Sequence, residues 1–325
     1  MKLASIDDGS RDGSLVVVSQ QGHYISASDI APRMQAALEN WSEFAPSMTR
    51  RSKQLEQGGG MNSEGVTFLA PLPRAWQWLD GSAFKSHGDL MEKVFGIDPV
   101  PMDKPLMYQG MSHRFLSATE DVEFLRAEDD IDFEGEFGII TDDVPMGLSA
   151  AAAMNHIKLI VQINDWSLRR LAPAEMKTGF GWIQAKPACS MAPFAITPDE
   201  LGDAWQNGRV HLPLTVDWNG ERFGNAHAGV MDVGFHELIA HAAATRDLCA
   251  GTVIGSGTVS NDNFREIGSS CIAERRGIEI VDEGAPKTRF MQFGDRVRME
   301  ALCEDGSSPF GAIDQRVTKR ETSHG

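Results

Sequence analysis

Two glutamates one residue apart, Glu134 and Glu136, sit in the run Ile131-Asp132-Phe133-Glu134-Gly135-Glu136-Phe137-Gly138-Ile139-Ile140. The alternation predicts a strand with Phe133 and Phe137 on one face and Glu134 and Glu136 on the other. Same-face neighbours lie about 6.8 Å apart along a strand, a span that two glutamates can close around one cation. A third acid, Asp165, ends the apolar run from Ile157 to Ile163, which only Lys158 and Gln162 interrupt. Three carboxylates lining or ending apolar strands repel one another unless positive charge sits between them. A hard divalent metal is the simplest candidate, and a fold for this chain has to gather these acids.

The 325 residues are enough for one large domain with a smaller companion. An apolar content of 42% is that of a soluble globular chain. No apolar stretch approaches the roughly 18 residues that span a bilayer. Met1 to Asp8 lacks a signal-peptide core and reads as a first strand. The cysteines, Cys189, Cys249, Cys271 and Cys303, have no metal-type spacing, so a reduced cytoplasmic protein is expected. A net charge of −16 argues against nucleic acid or an acidic membrane as partner.

Residues 1–70 read as a small β-rich domain, with alternating segments at Ser14–Ser19 and His23–Ser26 and a helix from Asp29, as cap, to Trp41. Gly58-Gly59-Gly60 is a loop, and Ala70-Pro71-Leu72-Pro73-Arg74 marks the boundary to a larger unit over 71–325. There, Ser149 caps an alanine-rich helix leading into the strand that ends at Asp165. Asn219-Gly220 joins Leu214–Trp218 to Glu221–Phe223 as a type I′ hairpin. Asp232 is expected to cap a helix through Thr245. Thr252 to Thr258 is a buried strand running into a small-residue turn, and Phe293 to Glu300 is a turn followed by a strand. The class is α+β with a mostly β core. His236 and His241 in one helix mimic a zinc-protease pair, but five residues put them about 140° apart, too far round to share a zinc. Walker, dinucleotide-binding and nucleophile-elbow motifs do not occur.

Taken together, several pieces resemble the fumarylacetoacetate hydrolase family over most of residues 70–315. They are Asp80 with His87 seven positions on, Tyr108-Gln109-Gly110, Glu134-Gly135-Glu136, and Asn164-Asp165-Trp166-Ser167 with Arg169. Lys186 with Ser190, Ser256-Gly257-Thr258, and Gly268-Ser269-Ser270 ahead of Glu274 complete the set. The resemblance implies a mixed β-sandwich roll with a small SH3-like N-terminal domain, usually as a homodimer. It implies that Asp80, Glu134, Glu136 and Asp165 hold a divalent cation, and all-oxygen ligation suits Mg²⁺ first, with Ca²⁺ or Mn²⁺ as alternatives. It implies His87 as water-activating base, Glu274 as its orienting carboxylate and Lys186 as the group that neutralises oxyanion charge. Ser82, Tyr108 and Thr258 match substrate-contacting positions. The family's substrate-binding glutamine and tyrosine fall at Ala172 and Met176 here, so the pocket is remodelled. The expected reaction is metal-dependent hydrolysis of a C–C bond in a β-diketo acid, fumarylacetoacetate-like or an acylpyruvate, in aromatic-compound catabolism. The alternative is a 2-keto acid lyase, an oxaloacetate-type decarboxylase or sugar-acid dehydratase. A third is a non-catalytic module that kept the scaffold.

Overall fold

The computed structural model of the chain describes residues 1–95 and 104–321. The first part gives strands β1 (Lys2–Ile6), β2 (Ser14–Val18) and β3 (His23–Ser26), helices α1 (Met34–Glu39) and α2 (Trp41–Glu56), and β4 (Met61–Asn62). Then come β5 (Gln77–Gly81), α3 (Lys85–Phe95), β6 (Met107–Gln109) and β7 (Val122–Phe124). The middle holds β8 (Ile131–Asp132), β9 (Gly135–Thr141), α4 (Ala150–Ala153), β10 (Ile157–Asn164), β11 (Ser167–Leu168), α5 (Ala172–Thr178), β12 (Ser190–Met191) and β13 (Ala195–Ile196). The last third holds β14 (Trp205–Gln206), β15 (Arg209–Val210), β16 (Pro213–Trp218), β17 (Glu221–His227), α6 (Phe235–Ala242) and β18 (Thr252–Gly255). It ends with α7 (Phe264–Ile267), α8 (Ile272–Glu283), β19 (Arg296–Ala301) and β20 (Ile313–Lys319).

Eleven strands form one sheet in the order β4-β3-β2-β1-β13-β10-β9-β18-β5-β6, with β12 also on β10. A second sheet runs β17-β16-β19-β20-β7. Phe137 and Trp166 share one buried core with Leu214, Val216, Met299 and Val317 of the second sheet, so the two sheets pack face to face. On the other side of the large sheet, Met34, Leu38 and Met48 of α1 and α2 bury against Trp78, Val161 and Val253. β1 pairs with β13, which makes the first strands a continuation of the central sheet. The α+β class, mostly β in its core, is the observed one.

Some expected elements differ in detail. The helix expected from Asp29 begins at Met34 and is followed by α2, which the sequence reading did not anticipate. Asp29 pairs with Arg51 of α2 instead of capping. The single strand over 131–140 breaks at Phe133 and Glu134 into β8 and β9. Asp232 does not cap the helix after it: its carboxylate accepts the backbone N–H of Lys85 (2.7 Å) and so caps α3. α6 is closed instead by Glu237, which accepts the Gly234 N–H at 2.7 Å. The hairpin is as expected, with Asn219 and Gly220 both at positive φ (54° and 83°). Ser149 does cap α4, accepting from Ala152 at 3.3 Å.

Candidate active site

The acids converge because of strand register. Asp80 lies on β5 opposite Gly255 of the parallel β18 and opposite Tyr108 of the antiparallel β6. Glu136 on β9 pairs with Ile163 of β10, and Asn164 pairs with Gly135. The residue that ends β10, Asp165, therefore arrives beside the glutamates although it is about thirty positions away. Asn164 fixes this corner: its Oδ1 accepts the Glu134 N–H at 2.9 Å, while the Asp165 N–H donates to the Glu134 carbonyl at 3.0 Å. Trp166 is buried and donates its indole N–H to Ser190 Oγ (2.9 Å), which anchors the turn. A Cβ on Gly255 would collide with the Asp80 carboxylate and the Trp78 ring, so glycine is needed there. Gly257 adopts φ +75° against Gly81 and donates its N–H to Asp80 Oδ1 at 3.2 Å.

Asp80, Glu136 and Asp165 are all buried, and each offers a carboxylate oxygen within 4.8 Å of the others. Neither oxygen of Glu136 has a hydrogen-bond partner among the described residues. Burial, and next the Asp165 charge, pushes the Asp80 carboxyl well above its usual range. Burial with Asp80 and Asp165 does the same to Glu136, and burial raises Asp165 against the pull of Lys186. These are three hard oxygen donors held together with too little positive charge, an arrangement that fits Mg²⁺, Ca²⁺ or Mn²⁺.

Glu134 stands beside this cluster, not in it. Its carboxylate takes Arg169 on one oxygen and Lys186 Nζ (2.6 Å) on the other. Burial alone would raise Glu134, but Arg169 and Lys186 win and hold it at about 2. Lys186 also reaches Asp165 Oδ2 at 2.5 Å. Its burial disfavours the charge, yet Asp165 and Glu134 outweigh that and raise its pKa, so Lys186 is a fixed cation. Tyr108 donates its hydroxyl to Asp165 Oδ2 (2.6 Å), and the buried Cys189 thiol donates to Oδ1 (2.8 Å).

The second group is helical. His87, in the first turn of α3, places Nδ1 2.9 Å from Glu274 Oε2 in the first turn of α8. Glu274 is fully buried, while His87 keeps 18% of its side chain exposed. The two helices touch at Gly277, where a Cβ would come within 2.9 Å of Met91 and 3.2 Å of Val94. Asp132 joins this pair to the acids. It accepts the N–H groups of Ile272 (2.7 Å) and Ala273 (2.9 Å) at the start of α8, and also Arg169 Nε at 2.8 Å. Arg169 in turn holds Glu134.

Among the remaining expected residues, Ser82 follows β5 with its N–H on the Leu106 carbonyl, and Thr258 is buried in the turn after β18. The Gly257 backbone packs against Ser82, which brings these two positions together. Sequence reading gave Asp132 and Trp182 no role. Asp132 shares the strand parity of Glu134 and Glu136, and Trp182 lies four residues before Lys186; both were available signals.

The sequence matches the fumarylacetoacetate (FAA) hydrolase C-terminal family over residues 77–318, and fumarylacetoacetase N-terminal domain 2 over residues 1–74. The chain belongs to the fumarylacetoacetate hydrolase family. Fumarylacetoacetase of Dictyostelium discoideum is 24% identical over 218 residues, 56% of this chain and 50% of that protein. The match thus spans about half the length of this curated relative. A maleylpyruvate hydrolase from Sphingobium sp. SYK-6, solved with manganese(II) and pyruvate, superposes with TM-score 0.67 at 15% identity, covering 99% of this chain and 100% of that one. A 2-hydroxyhepta-2,4-diene-1,7-dioate isomerase from Mycobacterium marinum gives TM-score 0.60 at 16% identity, again over 99% and 100%. Likeness at these identities shows a shared fold for this family member.

Proposed function

We propose that this family member is a metal-dependent hydrolase that cleaves a C–C bond in a β-diketo acid, fumarylacetoacetate-like or an acylpyruvate, in aromatic-compound catabolism. The observation that carries the reading is the pairing of the buried Asp80–Glu136–Asp165 cluster with the His87–Glu274 contact. A divalent cation held by Asp80, Glu136 and Asp165 would supply Lewis-acid polarisation of an enolisable diketone. The fold relative solved with manganese and pyruvate supports both the ion class and the product class.

The chain's own residues do the rest. Glu274 accepts from Nδ1–H of His87, which leaves Nε2 free to take a proton from water. The water's hydroxyl goes to the acyl carbonyl carbon. The C–C bond to the methylene then breaks, and the methylene carbon is reprotonated to give a carboxylic acid and a 2-keto acid. Lys186, held as a cation by Glu134 and Asp165, offsets the oxyanion charge. Tyr108 restrains Asp165, and Ser82 and Thr258 face the substrate. A decarboxylase or dehydratase needs no activated water, so the His87–Glu274 contact favours hydrolysis over the lyase alternative. No helix among the described residues is long and apolar enough to cross a membrane, and all four cysteines are free thiols. These features support a reduced, cytoplasmic setting, and a homodimer is the assembly we infer from the family.

The test is direct. Purified protein with Mg²⁺ or Mn²⁺, or with EDTA, is incubated with acetylpyruvate, fumarylpyruvate, fumarylacetoacetate and oxaloacetate, and products are followed by NMR. Two carboxylic fragments from a diketo acid, lost with EDTA, are the expected outcome. Carbon dioxide from oxaloacetate with every diketo acid intact would replace the hydrolase with the lyase.

A further inference from the structure

An aromatic wall stands beside the acid cluster, on the loop between α5 and Lys186. The Glu175 carboxylate accepts the backbone N–H groups of Ile183 (3.1 Å), Gln184 (2.9 Å) and Ala185 (3.1 Å), which clamps the loop onto its own helix. The clamp sets the half-buried Trp182 against Tyr108, with ring centroids 4.8 Å apart and planes inclined by 58°. Lys186 Nζ lies 5.5 Å from the Trp182 ring and 5.4 Å from the Tyr108 ring. Tyr108 in turn bonds Asp165, so Trp182 is one contact away from the acid cluster. Beyond it the loop continues apolar, with Phe180 97% exposed and Ile183 83% exposed.

The cations of this region are already engaged. Lys186 holds Glu134 and Asp165, Arg169 holds Asp132 and Glu134, and Arg114 pairs with Glu120. The sequence from 96 to 103 has Asp98 and Asp103 but neither lysine nor arginine. A second carboxylate on the substrate would thus meet indole, phenol and acids. An apolar arm would meet a surface that fits it.

We propose that Trp182 is a specificity-determining residue that selects keto acids with an aryl or other apolar arm over those ending in a second carboxylate. This rests on the hydrolase reading for the reaction, but the selection itself is a binding property. The aromatic face offers contact area and stacking to a flat arm and leaves a distal carboxylate desolvated and unpaired.

The test uses two ligands that are not diketo acids and differ only in the far end, 4-phenyl-2-oxobutanoate and 2-oxoglutarate. Their affinities for the Mn²⁺-loaded protein are measured by calorimetry and by quenching of tryptophan fluorescence. The phenyl ligand should bind about 10-fold tighter or more. Trp182→Ala should shrink that preference to about 2-fold or less, while Trp182→Phe keeps most of it and both variants melt near the parent temperature. Equal or tighter binding of 2-oxoglutarate, no binding of either ligand, or a preference that survives Trp182→Ala overturns the proposal. Acylpyruvates tested in parallel separate the two ideas: no cleavage of benzoylpyruvate with the binding preference intact removes the reaction and leaves the selection.

Discussion

The two halves of the site are built on different elements. Asp80, Glu136 and Asp165 are carried by neighbouring strands of the central sheet, whereas His87 and Glu274 are carried by two helices laid against each other. Strand register places the acids to a fraction of a residue, since a slip of one position would turn each to the opposite face. Helix packing has no such detent. The distance from His87 to Glu274 depends on how closely α3 approaches α8, and the bare backbone at Gly277 sets that approach.

Breaking the strand-borne half has the largest expected effect. Glu136→Gln should abolish turnover of every substrate, by about 10³-fold or more, with loss of metal affinity in calorimetry. The same change should raise the melting temperature in EDTA by roughly 2–4 °C, because one of three mutually repelling buried acids is removed. A fall in that temperature would mean the acids are not in conflict. Breaking the helical half should separate the two. His87→Ala should lower hydrolysis by about 10²–10⁴-fold while metal affinity in calorimetry stays within about 3-fold. Equal loss of both would tie the histidine to the ion.

A gentler change sharpens the contrast. Gly277→Ala pushes against Met91 and Val94 and should lower stability by about 1 kcal/mol and hydrolysis by about 10-fold, with metal affinity unchanged. The smallest effect is a pH slope. Asp80, Glu136 and Asp165 have folded-state pKa values above those of free carboxyls, so the fold binds more protons than the unfolded chain. Stability in EDTA should therefore fall as pH rises from about 5 towards 8, above the unfolded values of about 4. Glu134, held at about 2, loses its contribution only in strong acid, outside this window. Saturating Mn²⁺ should flatten the slope in melting scans, and a slope of opposite sign would count against the cluster.

The strand-borne half was the more legible in the sequence. Acids embedded in apolar alternation, an Asn-Asp corner and a glycine-bearing turn are local patterns, and the sheet reproduces them. The Asn219-Gly220 hairpin was legible for the same reason. What escaped depends on where long side chains end. Glu134 and Glu136 look equivalent in sequence, yet Arg169 and Lys186 claim only the first. Asp232 precedes one helix and caps another that begins at Lys85, far earlier in the chain. α2 was missed because its polar residues and Pro46 hide an apolar stripe that buries only Met48 and Leu55. The break at Phe133 and Glu134 comes from the bridge between Glu134 and Cys271, a partner no local pattern names.

Asp132 is where the two constructions meet, gripping the first turn of α8 with one set of contacts and Arg169 with another. Any change in the spacing between the proton-accepting ring and the acid cluster has to pass through that single carboxylate. The aromatic loop at Trp182 hangs on its own clamp at Glu175 and carries no such obligation. Descendants of this chain can therefore trade one substrate for another by rewriting the loop, while the chemistry stays locked behind a joint that tolerates little tinkering.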